Sequence, residues 1–566
     1  MPDVTRLDKS VRRRTVLATG AAGAGVATVA AGVSAPAEAA GRRHFQHGVA
    51  SGDPTAHRVV IWTRVTPTAA STPGSGKGPR VEVVWEVAKD RKFRKVVRRG
   101  TFTTGPDRDH TVKVDVGKLA PATWYFYRFR YRGTVSRVGR MRTAPGMLSL
   151  PGHLRFGVVS CANLQAGWFT AYRALAKRND LHAVLHLGDY LYEYGPGQYG
   201  YGFDDVDIRK HQPAHEMVSL ADYRQRHAQY KRDADLQDLH AKYPFIVTWD
   251  DHEVTNDQWR AGAENHNDDE GNYKRRRARA HRAYDEWMPA RMDGTAALGD
   301  GDRLYRRLRF GRLAEISMLD LRSYRDQQVE TAAPTPVPAA EAEVSDPDRT
   351  LVGRQQMLWL KRSLSRKRVQ WKIIGNPVMI APVTFAQVPQ EIVGPINDVT
   401  GLIPMDGLPY NVDQWDGYTD DRREVLSYIR NHQIKDALFV TGDIHSGWAC
   451  ELPYDPATYP AQGDSAGVEF VCSSVTSNNL KDITNTPPRT TSRAVEQVIM
   501  ENNRHIKYLN FDDHGFSVLD ITAKRAQMDW FIIGDRADKT TTVNHTASWR
   551  TLSGSGKVQA VDRPVG

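Results

Sequence analysis

Several short apolar runs in this chain each stop at side chains that bind cations. RFGVVS (Arg155 to Ser160) runs into Cys161, and HAVLHLGD ends at Asp189 with Tyr192 three residues on. WDDHE spans Trp249 to Glu253, and ALFVTGD ends at Asp443, followed by His445. Apolar runs that halt together at polar groups read as strands of a parallel sheet. Such strands deliver functional groups at their carboxyl ends. This pattern restricts the fold to layered α/β architectures. The pairing in Asp-x-x-Tyr suits a hard, highly charged cation, since zinc prefers Cys and His.

The 566 residues are enough for more than one domain and a large core. No internal apolar run is long enough to span a membrane. The N-terminus has a different texture. Arg12-Arg13-Arg14 precedes a mild Ala/Gly/Val stretch, and Ala37-Glu38-Ala39 offers small residues at cleavage spacing. Residues 1–39 read as a twin-arginine signal, so a secreted or cell-wall-associated protein and the twin-arginine export machinery are expected. Cleavage after Ala39 removes five of the 77 basic and three of the 66 acidic residues, leaving a net charge of +9. That balance favours anionic substrates or surfaces, with transient membrane contact as one consequence. No basic block is interleaved with aromatics, so no specific nucleic-acid partner is expected. A monomer is expected. With three cysteines, a Cys450–Cys472 disulfide is one reading outside the cytoplasm, with Cys161 left over for metal ligation or reactivity.

Residues 40–147 are β-rich, with strand patterns at RVVIWTRV, VEVVWEV, TVKVDV and TWYFYRFRY. They predict a small β-sandwich of immunoglobulin or fibronectin type. From about 148 to 566, strands alternate with helical segments, predicting a catalytic α/β domain with further strands at its C-terminal end. Tyr273 to Trp287 reads as a basic amphipathic helix whose arginines form a solvated face. Ala332 to Ala340 is a Pro/Ala-rich surface loop.

Together these segments assemble two cation positions. Asp189 can bridge both. Tyr192 and Cys161 add phenolate and thiolate to the first, His445 adds imidazole, and two anionic donors favour Fe(III). The second draws on oxygens from Asp189, Asp251, Asp443 and Asn376, a set that suits Ca(II), Mg(II) or Mn(II). Asp250 takes the place of Asp251 if the register is shifted by one. Two such cations can bind a phosphoryl group and hold an attacking hydroxide. His252 is then free to hydrogen-bond the phosphoryl oxygens or protonate the leaving alkoxide. His186 and His240 read as structural.

The ordered set SC, GDYLYE, WDDHE, GNP (Gly375 to Pro377) and GDIH resembles the alkaline phosphatase D family of calcineurin-like metallophosphoesterases. The likeness extends to FQHGVASGDP (Phe45 to Pro54) and covers nearly the whole chain. It implies a four-layer αββα sandwich preceded by the β-sandwich. It also implies an iron site of Cys161, Asp189, Tyr192 and His445, and a calcium site of Asp189, Asp251, Asn376 and Asp443. The implied activity is hydrolysis of phosphomonoesters or phosphodiesters at alkaline pH. A phospholipase D-type cleavage of phospholipid head groups is the enzymatic alternative. A non-catalytic iron-binding surface protein is the alternative of another class.

Overall fold

The computed structural model describes residues 43–292, 303–329, 343–385 and 408–565. The expected export signal and the Ala332 to Ala340 loop lie outside the described residues.

Two sheets face each other across one core. The first has ten strands and is centred on Gly515–Ile521, Leu154–Val159, Ala183–Leu187 and Pro244–Thr248. The last three of these run parallel. The second has seven strands, with Ala314–Met318, Trp371–Asn376, Ala437–Thr441 and Val468–Val471 parallel at its middle. Side chains alternate across each strand. Leu185 and Leu187 join Phe156, Ile316, Ile373, Leu438 and Phe470 between the sheets. Val184 points the other way, into a layer built with Tyr172, Tyr223, Leu239 and Tyr284. Those residues come from helices Thr170–Lys177, Leu220–Tyr230, Ala234–Lys242 and Tyr273–Trp287. Helices Arg354–Leu364, Thr419–Asn431 and Thr491–Asn502 cover the outer face of the second sheet through Leu360, Val425 and Ile499. The layers are therefore αββα.

The N-terminal β-region is less separate than its sequence suggests. Its five-stranded sheet (Val81–Ala88, Val96–Thr104, Trp124–Tyr131, Thr134–Val135 and Gly139–Arg142) packs Val83, Val87, Tyr127 and Phe129 against Val59, Ile61, Val112 and Val116. The latter four sit on Val59–Arg64 and Thr111–Val116, which form one margin of the ten-stranded sheet. Strand Val49–Gly52 makes the join by pairing parallel with Pro244–Thr248, Ser51 opposite Pro244. One wall of the sandwich is thus continuous with the sheet that carries Asp189.

Two other expectations change. Cys450 and Cys472 are free and buried on opposite faces of the second sheet, one among the outer helices and one between the sheets, so the disulfide reading is set aside. Helix Tyr273–Trp287 is not simply solvated along its basic face. Arg276 is fully buried and pairs with Glu216 (2.5 Å) and Glu270 (2.8 Å), and Arg277 is buried as well. Lys274, Arg275 and Arg282 remain exposed. No helix among the described residues is long and apolar enough to cross a membrane.

Candidate metal centre

The two sheets converge at the carboxyl ends of their parallel strands. Gly188 and Gly442 make the approach possible. A Cβ on Gly188 would lie 2.5 Å from that of Asp250, and one on Gly442 would lie 2.7 Å from that of Ser160. Beyond the strand ends, Cys161, Asp189, Asp443 and His445 all adopt left-handed backbone, with φ of 57°, 53°, 62° and 54°. Non-glycine residues pay about 1–3 kcal/mol for each such conformation, and they cluster where side chains must be aimed. Glu253 braces two of the loops, accepting from the backbone amides of Asp189 (3.1 Å), Tyr190 and Asp250 (2.8 Å).

On one side of the cleft, ligand atoms of Cys161, Asp189 and His445 lie within 4.8 Å of one another. Tyr192 joins them, its hydroxyl donating to Asp189 Oδ2 at 2.7 Å and lying 3.5 Å from His445 Nε2. Asp189 Oδ1 is buried with no hydrogen-bond partner. His445 Nδ1 donates to the Asn478 carbonyl at 2.7 Å, which leaves Nε2 as the nitrogen with a lone pair. Burial lowers the His445 imidazole to about 4, so the ring is neutral. Burial and the nearby Asp189 and Asp443 charges push the Cys161 thiol well up, while burial and neighbouring carboxylates push up Asp189 itself. The group collects donors that can turn anionic, and the charge that favours ionised Asp189 comes from the His252 ring on its other flank. It fits a metal ion.

The other side is arranged differently. Ligand atoms of Asp189, Asp251 and His252 lie within 4.8 Å of one another. Asp250 turns away from them and is gripped by Arg322 through both oxygens (Nη2 to Oδ2 3.1 Å). Of the two neighbours, Asp251 is the one whose carboxylate approaches Asp189. Arg322 also reaches Asp413 (2.9 Å), and its Nη2 stands 3.5 Å from Asp443 Oδ1 and 3.8 Å from Asp251 Oδ1. Burial raises Asp443 to about 6 despite that guanidinium. Asn376 ends its strand where expected, but its amide has structural duties. Nδ2 donates to Thr441 (3.1 Å) and Glu469 (3.3 Å), and Oδ1 accepts from the Trp415 indole (3.1 Å). One lone pair on that oxygen is all it retains for a cation.

His252 Nδ1 lies 2.7 Å from Glu193 Oε2. Oε1 of the same carboxylate accepts from the Asn256 amide (2.8 Å) and Asn265 Nδ2 (2.9 Å). Burial alone would lower the His252 imidazole, yet the charges of Asp251, Glu193 and Asp189 outweigh it and hold the ring well above its usual value. Burial likewise opposes ionisation of Glu193, and the His252 charge overrides it, bringing the carboxyl to about 2. His186 and His240 are structural as expected, bonded to the hydroxyls of Tyr172 (3.0 Å) and Tyr190 (2.8 Å). A cavity of about 450 Å³ lined by Asp257, Gln328, Tyr410, Asp413, Asp443 and His445 opens onto this cleft.

Glu193 and Arg322 escaped the reading of the sequence. Glu193 sits inside GDYLYE, and only the fold brings it to His252. Arg322 follows the apolar run AEISMLDL, which ends in charge like the other strand ends. Trp168 and Trp259 are half-buried, and Trp168 lies beneath Arg209 and Lys539, each 4.8 Å from its ring.

The family model for the PhoD-like phosphatase matches residues 156–530, and that for the PhoD-like phosphatase N-terminal domain matches 30–145. Alkaline phosphatase D of Bacillus subtilis (strain 168) is 36% identical over 490 residues, covering 86% of this chain and 77% of that protein. A solved structure of PhoD superposes with a TM-score of 0.80 at 32% identity, covering 92% of this chain and 93% of that one.

Proposed function

The chain belongs to the PhoD-like phosphatase family and is a phosphoester hydrolase, and from that premise we propose how its own residues bind and cleave the ester. The observation that carries the proposal is the bare Oδ1 of Asp189, buried beside a thiol, a phenol and an imidazole. An unsatisfied buried acceptor costs about 1–3 kcal/mol, more when charged, and a cation there removes the cost. Cys161, Asp189, Tyr192 and His445 would hold Fe(III). Asp189, Asp251 and Asp443 would hold Ca(II) beside Arg322, with Asn376 limited to its remaining lone pair. Bound there, the cations would supply positive charge to the phosphoryl oxygens and acidify a water molecule.

The protein's own groups do the rest. Glu193 holds His252 Nδ1, leaving Nε2 as the ring nitrogen for the substrate. His252 donates to a phosphoryl oxygen and passes its proton to the leaving alkoxide as the ester bond breaks. Arg322 neutralises Asp250 and Asp413 while facing Asp251 and Asp443. The enzyme works at alkaline pH after twin-arginine export, outside the cell membrane.

Turnover of p-nitrophenyl phosphate and bis(p-nitrophenyl) phosphate, with phosphatidylcholine in parallel, tests the proposal and ranks the ester classes. The wild-type protein turns over at least one of the chromogenic esters, and Asp189→Asn lowers kcat/KM by about a thousandfold or more. A metal-loaded wild-type protein inert toward all three esters sinks it.

A further inference from the structure

The segment Gly195 to Gly202 crosses the mouth of the centre and places one more side chain in it, Tyr199. Its ring lies 5.7 Å from that of Tyr192 and 5.4 Å from that of Tyr194. It also runs nearly parallel to the His252 imidazole, at 6.2 Å and 18°. The backbone at Tyr199 is left-handed, with φ of 52°, between Gly197 and Gly202, which are also left-handed. The fold pays for this placement with specific bonds. Asn163 Nδ2 donates to the Tyr199 carbonyl at 2.7 Å, and Gln165 Nε2 donates to the Gln198 carbonyl at 2.8 Å. Asn163 and Gln165 are fully buried and belong to the same loop as Cys161. Asn478 Oδ1 accepts from the Gly202 amide at 3.0 Å, while the Asn478 carbonyl accepts from His445. Asn163 and Gln165 thus tie this segment to the loop that carries Cys161, and Asn478 ties it to the ring of His445.

The hydroxyl is the informative atom. Among the described residues its one hydrogen-bonding neighbour is His445 Nδ1 at 3.5 Å, and that nitrogen already gives its proton to the Asn478 carbonyl at 2.7 Å. A ring nitrogen bearing hydrogen has no lone pair in the plane to accept another. The Tyr199 O–H proton therefore has no acceptor there, although the oxygen sits at the edge of the Cys161, Asp189 and His445 group. A tyrosine needed only for packing would serve as phenylalanine.

Resting on the phosphoester reading above, we propose that Tyr199 is a substrate-touching residue, donating its hydroxyl proton in a hydrogen bond to a non-bridging oxygen of the phosphoryl group. Nothing is transferred in this step. The phenol keeps its proton and adds a neutral donor beside that of His252, in a buried site where one aimed donor has a large effect.

The test is Tyr199→Phe in the full, metal-loaded enzyme. It is read by kcat/KM for p-nitrophenyl phosphate, by the inhibition constant of inorganic phosphate, by metal content and by thermal midpoint. The expected result is a ten- to hundredfold fall in kcat/KM and about a tenfold weaker phosphate inhibition, with metal content and midpoint unchanged. Three results overturn the inference while leaving the phosphoester reading intact. Kinetics and phosphate inhibition within about twofold of wild type make the ring a packing element. Loss of metal makes Tyr199 a ligand. A lowered midpoint makes the hydroxyl a structural bond. An inert wild-type enzyme would instead defeat the reading on which the inference rests.

Discussion

The two sides of the cleft solve the same electrostatic problem in opposite ways. Around Asp189 Oδ1, a thiol, a phenol and a neutral imidazole gather, and the cation acting on Asp189 is the His252 ring on the Asp251 side. Around Asp251 and Asp443, the protein supplies a positive charge of its own, the fully buried Arg322. The first side offers a set of donors that a metal would complete. The second is balanced by a guanidinium that a bound cation must share carboxylates with. Metal content and folding should therefore be coupled differently on the two sides.

The sharpest way to break that contrast is to remove the guanidinium. Arg322→Met leaves Asp250 buried without its partner, and breaking a buried pair of this kind costs about 3–5 kcal/mol. Urea unfolding with and without added calcium checks the outcome. The variant should be strongly destabilised in chelator and partly rescued by calcium, whose charge takes over part of the role. Equal destabilisation in both conditions would make Arg322 purely structural and erase the distinction between the two sides.

An effect spread over pH separates the centre from its scaffold. His281 and His505 are fully buried, one stacked on Trp249 behind the first sheet at 4.1 Å and one bonded to the Pro382 carbonyl at 2.7 Å. Burial lowers each to about 3. The folded state keeps both neutral, whereas the unfolded chain protonates them below about pH 6.5. Their contribution is thus intact above that value and lost progressively as pH falls toward about 3, at roughly 1.4 kcal/mol per pH unit for each histidine. Denaturant midpoints across this window, measured on metal-loaded protein, should show the slope, and His281→Leu should make it shallower. A slope unchanged by that substitution would move the acid sensitivity to the centre itself.

The strand ends were legible because burial on both faces forces continuous apolar runs, and a run that stops at Gly-Asp marks a turn. Cys161, Asp189, Tyr192, Asp251, Asp443 and His445 could therefore be picked from sequence, and the fold brings them together. What the sequence hid depends on pairing between distant residues. Glu193 meets His252 across 59 positions, and Arg322 meets Asp250 across 72. Neither spacing leaves a periodic trace. The union of the N-terminal strands with the catalytic sheet rests on the parallel register of Ser51 with Pro244, which has no local turn to announce it. Asn376 ends its strand where a ligand would stand, and what the sequence hid is that its amide also bonds Thr441, Glu469 and Trp415.

The proposed chemistry depends on a metal held at Asp189. Its most direct test is elemental analysis and the visible spectrum of the purified protein, compared between wild type and Tyr192→Phe. The account predicts iron in the wild type, a visible phenolate-to-iron absorption band, and bleaching of that band in Tyr192→Phe. A colourless, iron-free wild-type protein with full phosphoesterase activity would contradict it.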